Sequence, residues 1–376
     1  MKLLVFLAAS LAAILARPSY AGAPATACTS DCKIENNCRC SRRSGPFDGD
    51  ITEYPQLITL TFDDAVTTKT YQLWYDLLMS RTNPDGNAIG ATFYVPHEYT
   101  DYQKVNELYN YGFEIAVHSI TKNPLQSYWR TASENTLEQE FGGQKQIISK
   151  FANIPLEEIQ GVRTPQLQLS GNNTISAYRA SDLSYDSSWP TLPSKPLFPY
   201  TLDYLSTQDC NLGSTCPNEA FPGFWVLPIM DLNGPHGGWC NSLSSCNMTG
   251  TADQIADWLC NEIVKVKDNT RVPLTLSVNS YWFEFTNNSL AGLTQCLDTL
   301  QDSSDVFLVT HKQVIDWVKN PVKLADFQTE DASNQVSNCN EYNCSLMKDG
   351  KTMYMKTCVS CPAAYPWLGN PNGDPK

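Results

Sequence analysis

The chain has 376 residues, a formal net charge of −13 and fourteen cysteines. This negative charge argues against nucleic acids and anionic membrane surfaces as partners, because both are bound through basic patches. After position 21 no stretch approaches the roughly eighteen consecutive apolar residues that a membrane span requires, so we expect a protein without a membrane partner, and we expect it to be a monomer.

The N-terminus predicts a secretory signal peptide. Met1 and Lys2 precede an apolar run over 3–16, which is too short to span a bilayer, and Ser19-Tyr20-Ala21 fits a small-x-small cleavage pattern. We therefore expect residues 1–21 to be removed and the mature protein to be secreted.

Cysteine usage agrees with an oxidising compartment. Fourteen cysteines in a secreted chain predict seven disulfides, although close spacings such as Cys28-x3-Cys32 and Cys358-x2-Cys361 leave a metal-binding cluster as the alternative. Four Asn-x-Ser/Thr sequons predict a glycoprotein, at Asn172, Asn247, Asn287 and Asn343.

Short β-branched or aromatic runs alternate with amphipathic helical patterns. The predicted strands are 57–62, 91–95, 114–117, 159–163, 183–185, 224–227, 274–278 and 306–309. Helical periodicity covers 68–80, 135–151 and 251–266. This alternation predicts an α/β fold with parallel strands, over residues 22–320, whose strand ends build the site. Residues 321–376 have weak periodicity and four cysteines, and we expect them to form a disulfide-linked tail on the barrel.

Polar residues follow several of these strands. Asp63 and Asp64 follow the first strand, His118 follows the third and Arg163 ends the fourth. Adjacent residues of a strand point to opposite sides, so the two carboxylates can take different roles. An Asp-Asp pair or a strand-end histidine alone is common without any function. Only the order and placement of these residues together indicate a functional site.

These segments resemble the motifs of the polysaccharide deacetylases, carbohydrate esterase family four. In LITLTFDD the resemblance implies that Asp63 is the general base and Asp64 a metal ligand. In EIAVHSITK it implies that His118 is a second ligand, and in GVRTPQ that Arg163 orients the base.

The fourth and fifth motifs are carried by YDSSW and LTLSVN. The resemblance implies that Asp186 holds polar partners as part of the catalytic group, and that Trp189 and Leu276 bind substrate around the acetyl group. The family fold is a distorted parallel (β/α) barrel, and the family cofactor is a metal ion such as zinc.

The resemblance narrows to short insect chitin deacetylases of the gut-lining type. It rests on CNLGSTCPNEAFPGFW, on CPAAYPWLGNPNG and on the cysteines before the first strand, and it covers nearly the whole mature chain. It implies chitin or another N-acetylglucosamine polymer as partner and an extracellular location, such as a chitinous gut lining.

Two positions depart from the family motifs. The second histidine ligand is replaced by Lys122, and the catalytic acid histidine by Asn279. Lysine ligates a metal only as a neutral amine, and deprotonating it at pH 7 costs about 4 to 5 kcal/mol, so we expect zinc binding to be weak or absent. An amide cannot act as an acid, and loss of a general acid costs about 10² to 10⁴ in rate.

Two functions remain open. The first is a secreted chitin-binding protein whose N-deacetylation is lost or greatly reduced. The alternative is an active metal-dependent deacetylase that converts chitin and water to chitosan and acetate, with Lys122 or His311, in LVTH, as the substitute acid. His97 and His236 are expected to be structural or to contact substrate. Five tryptophans offer flat faces to sugar rings, although we expect at least half of them in the core: Trp129, Trp189, Trp225, Trp239 and Trp282.

Overall fold

A computed structural model describes residues 22–330 and 336–375. The predicted signal peptide therefore lies outside the described residues. No helix in the described part of the chain is both long and apolar enough to cross a membrane.

Strands occur throughout the described chain. In order they are β1 (Gln56–Phe62), β2 (Thr92–Pro96), β3 (Glu114–Ser119), β4 (Gly161–Val162), β5 (Tyr185–Asp186), β6 (Pro190–Thr191), β7 (Tyr200–Leu202), β8 (Phe221–Val226), β9 (Ile229–Met230), β10 (Leu232–Asn233), β11 (Trp239–Cys240), β12 (Leu274–Val278), β13 (Val306–Leu308), β14 (Tyr342–Lys348) and β15 (Lys351–Thr357).

Helices are interspersed among these strands as far as residue 319. In order they are α1 (Thr68–Leu78), α2 (Tyr102–Asn110), α3 (Gln126–Thr131), α4 (Glu134–Leu137), α5 (Gly143–Phe151), α6 (Asn172–Ala180), α7 (Ala252–Asn269), α8 (Ser280–Phe285), α9 (Ser289–Gln301) and α10 (His311–Lys319). A π-helical turn, Glu138–Gly142, joins α4 to α5, which accounts for the single helical pattern predicted there.

The central sheet of the described residues has nine strands in the order β12-β1-β2-β3-β4-β5-β8-β7, with β13 also paired to β1. Its pairs are parallel except that between β7 and β8. All seven residues of β1 are buried, as expected for a parallel strand covered on both faces. The predicted α/β class with parallel strands is confirmed. The hydrogen-bonded order does not return from β7 to β12, so the barrel is distorted and open.

Helix starts follow side-chain capping. Thr67, Thr251 and Thr310 each accept a hydrogen bond from the backbone three residues on, and the residue at that position bonds back. Such reciprocal caps satisfy two otherwise unpaired helix donors. The caps of α1 and α10 lie in the short segments that follow β1 and β13, so they help to fix how each helix leaves the carboxyl ends of the strands.

All fourteen cysteines are paired, which confirms the seven predicted disulfides. The pairs are Cys28–Cys40, Cys32–Cys38, Cys210–Cys216, Cys240–Cys246, Cys260–Cys296, Cys339–Cys358 and Cys344–Cys361. The alternative of a metal-binding cysteine cluster is wrong, since the close sulfur atoms of Cys28, Cys32 and Cys40 all belong to disulfides.

The tail contains the antiparallel hairpin β14–β15, which the sequence analysis does not predict. Its turn is Asp349-Gly350, with both residues in the left-handed region, and Asp-Gly between alternating residues is a strong hairpin signal. The hairpin contacts α2, where the Gln103 amide donates to the Tyr342 and Thr357 carbonyls at 3.1 and 3.4 Å. One disulfide, Cys344–Cys361, links β14 to the tail that follows the hairpin, and a second, Cys339–Cys358, joins the segments that flank the two strands.

His97, directly after β2, joins the sheet to the tail. Its ring is buried, its Nδ1 lies 2.8 Å from the Tyr102 hydroxyl, and its centroid is 4.7 Å from that of Tyr365. Burial lowers the pKa of His97 to about 3. Of the two roles expected for His97, these buried contacts favour the structural one.

Acid should weaken the fold through His97. The unfolded residue titrates near 6.5, so the stability from keeping it neutral is present above about pH 6.5 and falls as the pH drops towards 3. Between pH 7 and pH 5, the free energy of unfolding should fall by about 2 kcal/mol more in the unmodified protein than in His97→Gln. Urea unfolding with the disulfides intact measures this. Equal pH dependence in both proteins would contradict it, because every other buried histidine is common to the two.

Candidate functional site

The candidate site lies at the carboxyl ends of four parallel strands of the central sheet. Asp63 and Asp64 directly follow β1, His118 lies near the end of β3, Arg163 directly follows β4 and Asp186 ends β5. Because β1 to β5 are adjacent in the sheet, the side chains predicted from separate motifs converge at one edge.

A buried arginine forms the base of the site. Arg163 Nη1 donates to Asp63 Oδ1 and to Thr61 Oγ1, both at 2.7 Å. Its Nε donates to the Ser187 carbonyl at 2.7 Å and its Nη2 to the Ser187 hydroxyl at 3.1 Å. The guanidinium carbon lies 4.2 Å from the ring centroid of Tyr94. Burial opposes the charge, yet Asp63, and after it Tyr94 and Tyr185, raise the pKa of Arg163, so the cation is permanent and holds Asp63 in one orientation.

Tyr94 connects this pair to a buried histidine. Its hydroxyl lies 2.5 Å from His311 Nδ1, and His311 Nε2 lies 3.1 Å from Thr275 Oγ1. Burial lowers the pKa of His311 well below its ordinary value. The hypothesis that His311 is a substitute acid is wrong, because the ring is fully enclosed and both nitrogens already have partners.

Lys122 contacts the main chain of the aspartate pair. Its ammonium donates to the Asp63 carbonyl at 2.5 Å and lies 3.9 Å from Asp64 Oδ1. The other oxygen of Asp64 accepts the backbone N–H of Ser280. Lys122 therefore lies beside the carboxylate of Asp64, whereas at Asp63 its contact is with the carbonyl, because the Asp63 carboxylate faces Arg163.

His118 is a neutral buried imidazole. Its Nδ1 lies 3.0 Å from the Arg163 carbonyl, which leaves Nε2 as the nitrogen available to a ligand. Burial, and then the ammonium of Lys122, lower the pKa of His118 to about 3. Neutrality suits a metal ligand, but the nearby positive charge of Lys122 opposes a second cation.

These residues do not fit a catalytic zinc site. Such sites use three protein ligands and an open position, whereas Asp64 and His118 supply only two, with an ammonium near Asp64. Among residues 22–330 and 336–375, the cysteine group already assigned to disulfides is the single set of three or more ligand-type side chains with atoms within 4.8 Å of one another. No step that depends on a bound metal follows from this arrangement.

Asn279 lies at the end of β12 and directly precedes α8. Its Nδ2 is 3.4 Å from the Ser244 hydroxyl, and the loop that carries Ser244 is joined to β12 by a 3.0 Å bond from Leu243 N–H to the Ser277 carbonyl. The carboxamide offers hydrogen bonds but no acidic proton.

Asp186 contacts the hydroxyl group of Ser188. Its Oδ1 accepts from the Ser188 hydroxyl at 2.6 Å, and that hydroxyl oxygen accepts the Thr164 backbone N–H at 2.8 Å. Burial raises the pKa of Asp186 to about 7. Its contacts are those of a positioning residue, consistent with holding polar partners rather than touching substrate.

The residues expected to contact sugar are mostly enclosed. Trp189 is 2% exposed and Leu276 1%, so neither offers a face to a pyranose ring. Their burial still allows both to line a small acetyl pocket. Trp129, Trp225 and Trp282 are also buried, and the expectation that at least half of the five tryptophans are core is confirmed. Of these five tryptophans, only Trp239 is exposed. It lies on the β10–β11 hairpin, which also carries the exposed His236.

Several residues that shape the site carry no recognisable motif. Tyr94, Thr61 and Ser187 complete the surroundings of Arg163, and Ser280 holds Asp64 through its main chain. The alternation of side chains along β1 places Thr61 and Asp63 on one side, which is the one signal that could have identified Thr61.

Comparisons with known proteins agree on one family. Residues 51–186 match the family model "Polysaccharide deacetylase". The chain is 37% identical over 360 residues to Chitin deacetylase 8 of Bombyx mori, covering 93% of this chain and 94% of that protein. It is 32% identical over 371 residues to Chitin deacetylase 1 of Bombyx mori, covering 92% and 68%. A Streptococcus mutans CE4 esterase structure overlaps 69% of this chain and 88% of its own, at 14% identity and a TM-score of 0.40.

Replacing Lys122 should change zinc affinity. Lys122→His adds a ligand and removes an ammonium, so the zinc affinity at pH 7 should rise by at least about ten-fold, the smallest effect typical of losing or gaining a partner at a metal site. Lys122→Gln is the matched control, because it removes the charge without adding a ligand, and it should give a smaller gain. Titration calorimetry with zinc alone measures all three proteins. Tight one-to-one zinc binding by the unmodified protein would contradict this expectation.

Proposed function

Because this chain belongs to the polysaccharide deacetylase family, with chitin deacetylases as relatives over nearly its whole length, we propose that it binds chitin and has lost most or all of the N-deacetylation activity. The fourteen paired cysteines suit a protein that works in an oxidising, extracellular compartment. A chitinous gut lining is the location that we propose within that compartment.

The position of Lys122 is the observation that carries this proposal. Its ammonium lies at the main chain of Asp63 and 3.9 Å from Asp64, so a fixed positive charge of the protein sits beside the proposed metal ligand Asp64. A metal in such a site would polarise the acetyl carbonyl and activate water. A protonated lysine can attract an oxygen but cannot generate hydroxide near pH 7.

Asn279 supports the same conclusion. Amide hydrolysis requires a proton for the departing amine, and a carboxamide cannot supply one. Its contact is the Ser244 hydroxyl, and His311, the histidine considered as a substitute, is enclosed in the core.

One feature favours the alternative of an active deacetylase. The Asp63–Arg163 pair is complete, with Asp63 oriented by a short charged hydrogen bond, so the proposed general base is in place. An active enzyme would then use Lys122 as its acid at alkaline pH. A general acid works best at a pH near its own pKa, and the reference pKa of lysine is about 10.4.

Acetate release from chitin oligomers tests the loss of catalysis. The unmodified protein should be inactive or at least about 10²-fold slower than an intact relative, because both the metal site and the acid are incomplete. Lys122→His or Asn279→His alone should not restore turnover, whereas the double variant should, since groups that act as a unit are not additive. Ordinary turnover by the unmodified protein that is abolished by Asp63→Asn would establish the alternative.

Chitin binding should not depend on metal. The unmodified protein should be retained on colloidal chitin equally well with and without a chelator, because no protein–metal contact is needed to hold the polymer. A pull-down with increasing chelator measures this. Loss of retention on chelation, restored by zinc, would contradict the proposal.

A further inference from the structure

Two exposed aromatic side chains lie on one face of α8. Tyr281 is 50% and Phe285 77% exposed, and their ring centroids are 5.7 Å apart. They are four residues apart, which places them on the same side of a helix. Single exposed aromatic residues need no explanation, but adjacent ones at the edge of a site form a surface that can bind a ligand.

Two contacts place α8 beside the candidate site. The backbone N–H of Ser280 donates to the carboxylate of Asp64. Glu284 forms an ion pair with Lys69, in the first turn of α1. Because Tyr281 directly follows Ser280, this aromatic surface borders the strand ends at which Asp63 and Asp64 lie.

A second pair of exposed aromatic residues borders the start of α1. Tyr99 and Tyr354 are 78% and 79% exposed, and together with Thr67 and Thr68 they line an open cavity of about 300 Å³. Tyr99 has a φ of 68°, an uncommon backbone conformation for a bulky residue, and strain of this kind clusters at binding sites.

We propose that Tyr281, Phe285, Tyr99 and Tyr354, the aromatic rim, bind sugar units of one β-linked N-acetylglucosamine polymer that crosses the first turn of α1. The inference rests on the proposed function and names the surface that holds the polymer. Aromatic rings stack on the apolar faces of pyranoses, and the net charge of −13 suits a neutral polymer better than an anionic one.

The rim accounts for binding that the buried tryptophans cannot provide. Trp189 and Leu276 are enclosed, whereas the four rim rings are open to solvent. Two pairs that both border the first turn of α1 also favour a long chain over a single sugar, because units bound at one pair raise the effective concentration of the chain at the other.

The test uses the mature protein with Asn287→Gln and Asn343→Gln. These changes prevent glycans at two sequons that lie close to the rim, since Asn287 follows α8 and Asn343 lines the cavity with Tyr354. The rim variants are Tyr281→Ala with Phe285→Ala, and Tyr99→Ala with Tyr354→Ala. The matched control is Tyr75→Ala with Tyr111→Ala, an exposed aromatic pair with centroids 6.1 Å apart near the far ends of α1 and α2.

Affinity for long chitin oligomers is measured by calorimetry, with circular dichroism as the check on folding. Each rim variant should lose about ten-fold in affinity, equivalent to about 1.4 kcal/mol for two stacked rings, and the loss should be smaller for the disaccharide. The control should match the parent protein. Binding by the parent that neither rim variant weakens overturns this inference alone, whereas a parent protein that binds no chitin oligomer overturns the proposed function as well.

Discussion

The burial of the Arg163 guanidinium is the constraint on which the site depends. A cation with no solvent exposure must be paired and fully hydrogen-bonded, and leaving it unpaired would cost about 3 to 5 kcal/mol. Asp63 supplies the charge, Thr61 and Ser187 supply acceptors, and the ring of Tyr94 covers one face. The strand ends are therefore held together by an interaction that the fold requires whether or not catalysis occurs.

This constraint explains why the site is complete on one side and altered on the other. Asp63 balances the buried charge of Arg163, while Asp64, His118 and Lys122 are not part of that buried pair. Lys122 reaches the Asp63 carbonyl and the edge of Asp64, so its charge partly offsets that of Asp64. We propose that, in this polysaccharide-deacetylase scaffold, the ammonium of Lys122 supplies the positive charge that a metal ion would otherwise supply beside Asp64.

The fold was largely predictable from sequence, and the residues of the separate motifs do lie together at the strand ends, although their roles stay predictions. Continuous apolar runs that end in polar residues identify buried parallel strands, and β1 and β12 were placed almost to the residue. Contacts across the sheet were not predictable. The enclosure of His311 depends on Tyr94 and Thr275 from other strands, and no local pattern in LVTH distinguishes an enclosed histidine from an exposed acid. The exposure of Phe285 was not predictable either, because the sequence alone does not show which face of a short helix stays uncovered.

The position that a dication takes at the strand ends tests the proposed loss of the metal site most directly. Anomalous diffraction at the zinc edge, from crystals grown with zinc at neutral pH, would locate the ion and the Lys122 side chain together. We expect no zinc bonded to Asp64 and His118, with the Lys122 ammonium at the Asp63 carbonyl. A zinc peak coordinated by Asp64 and His118, with Lys122 displaced into solvent, would contradict the proposed loss of the metal site.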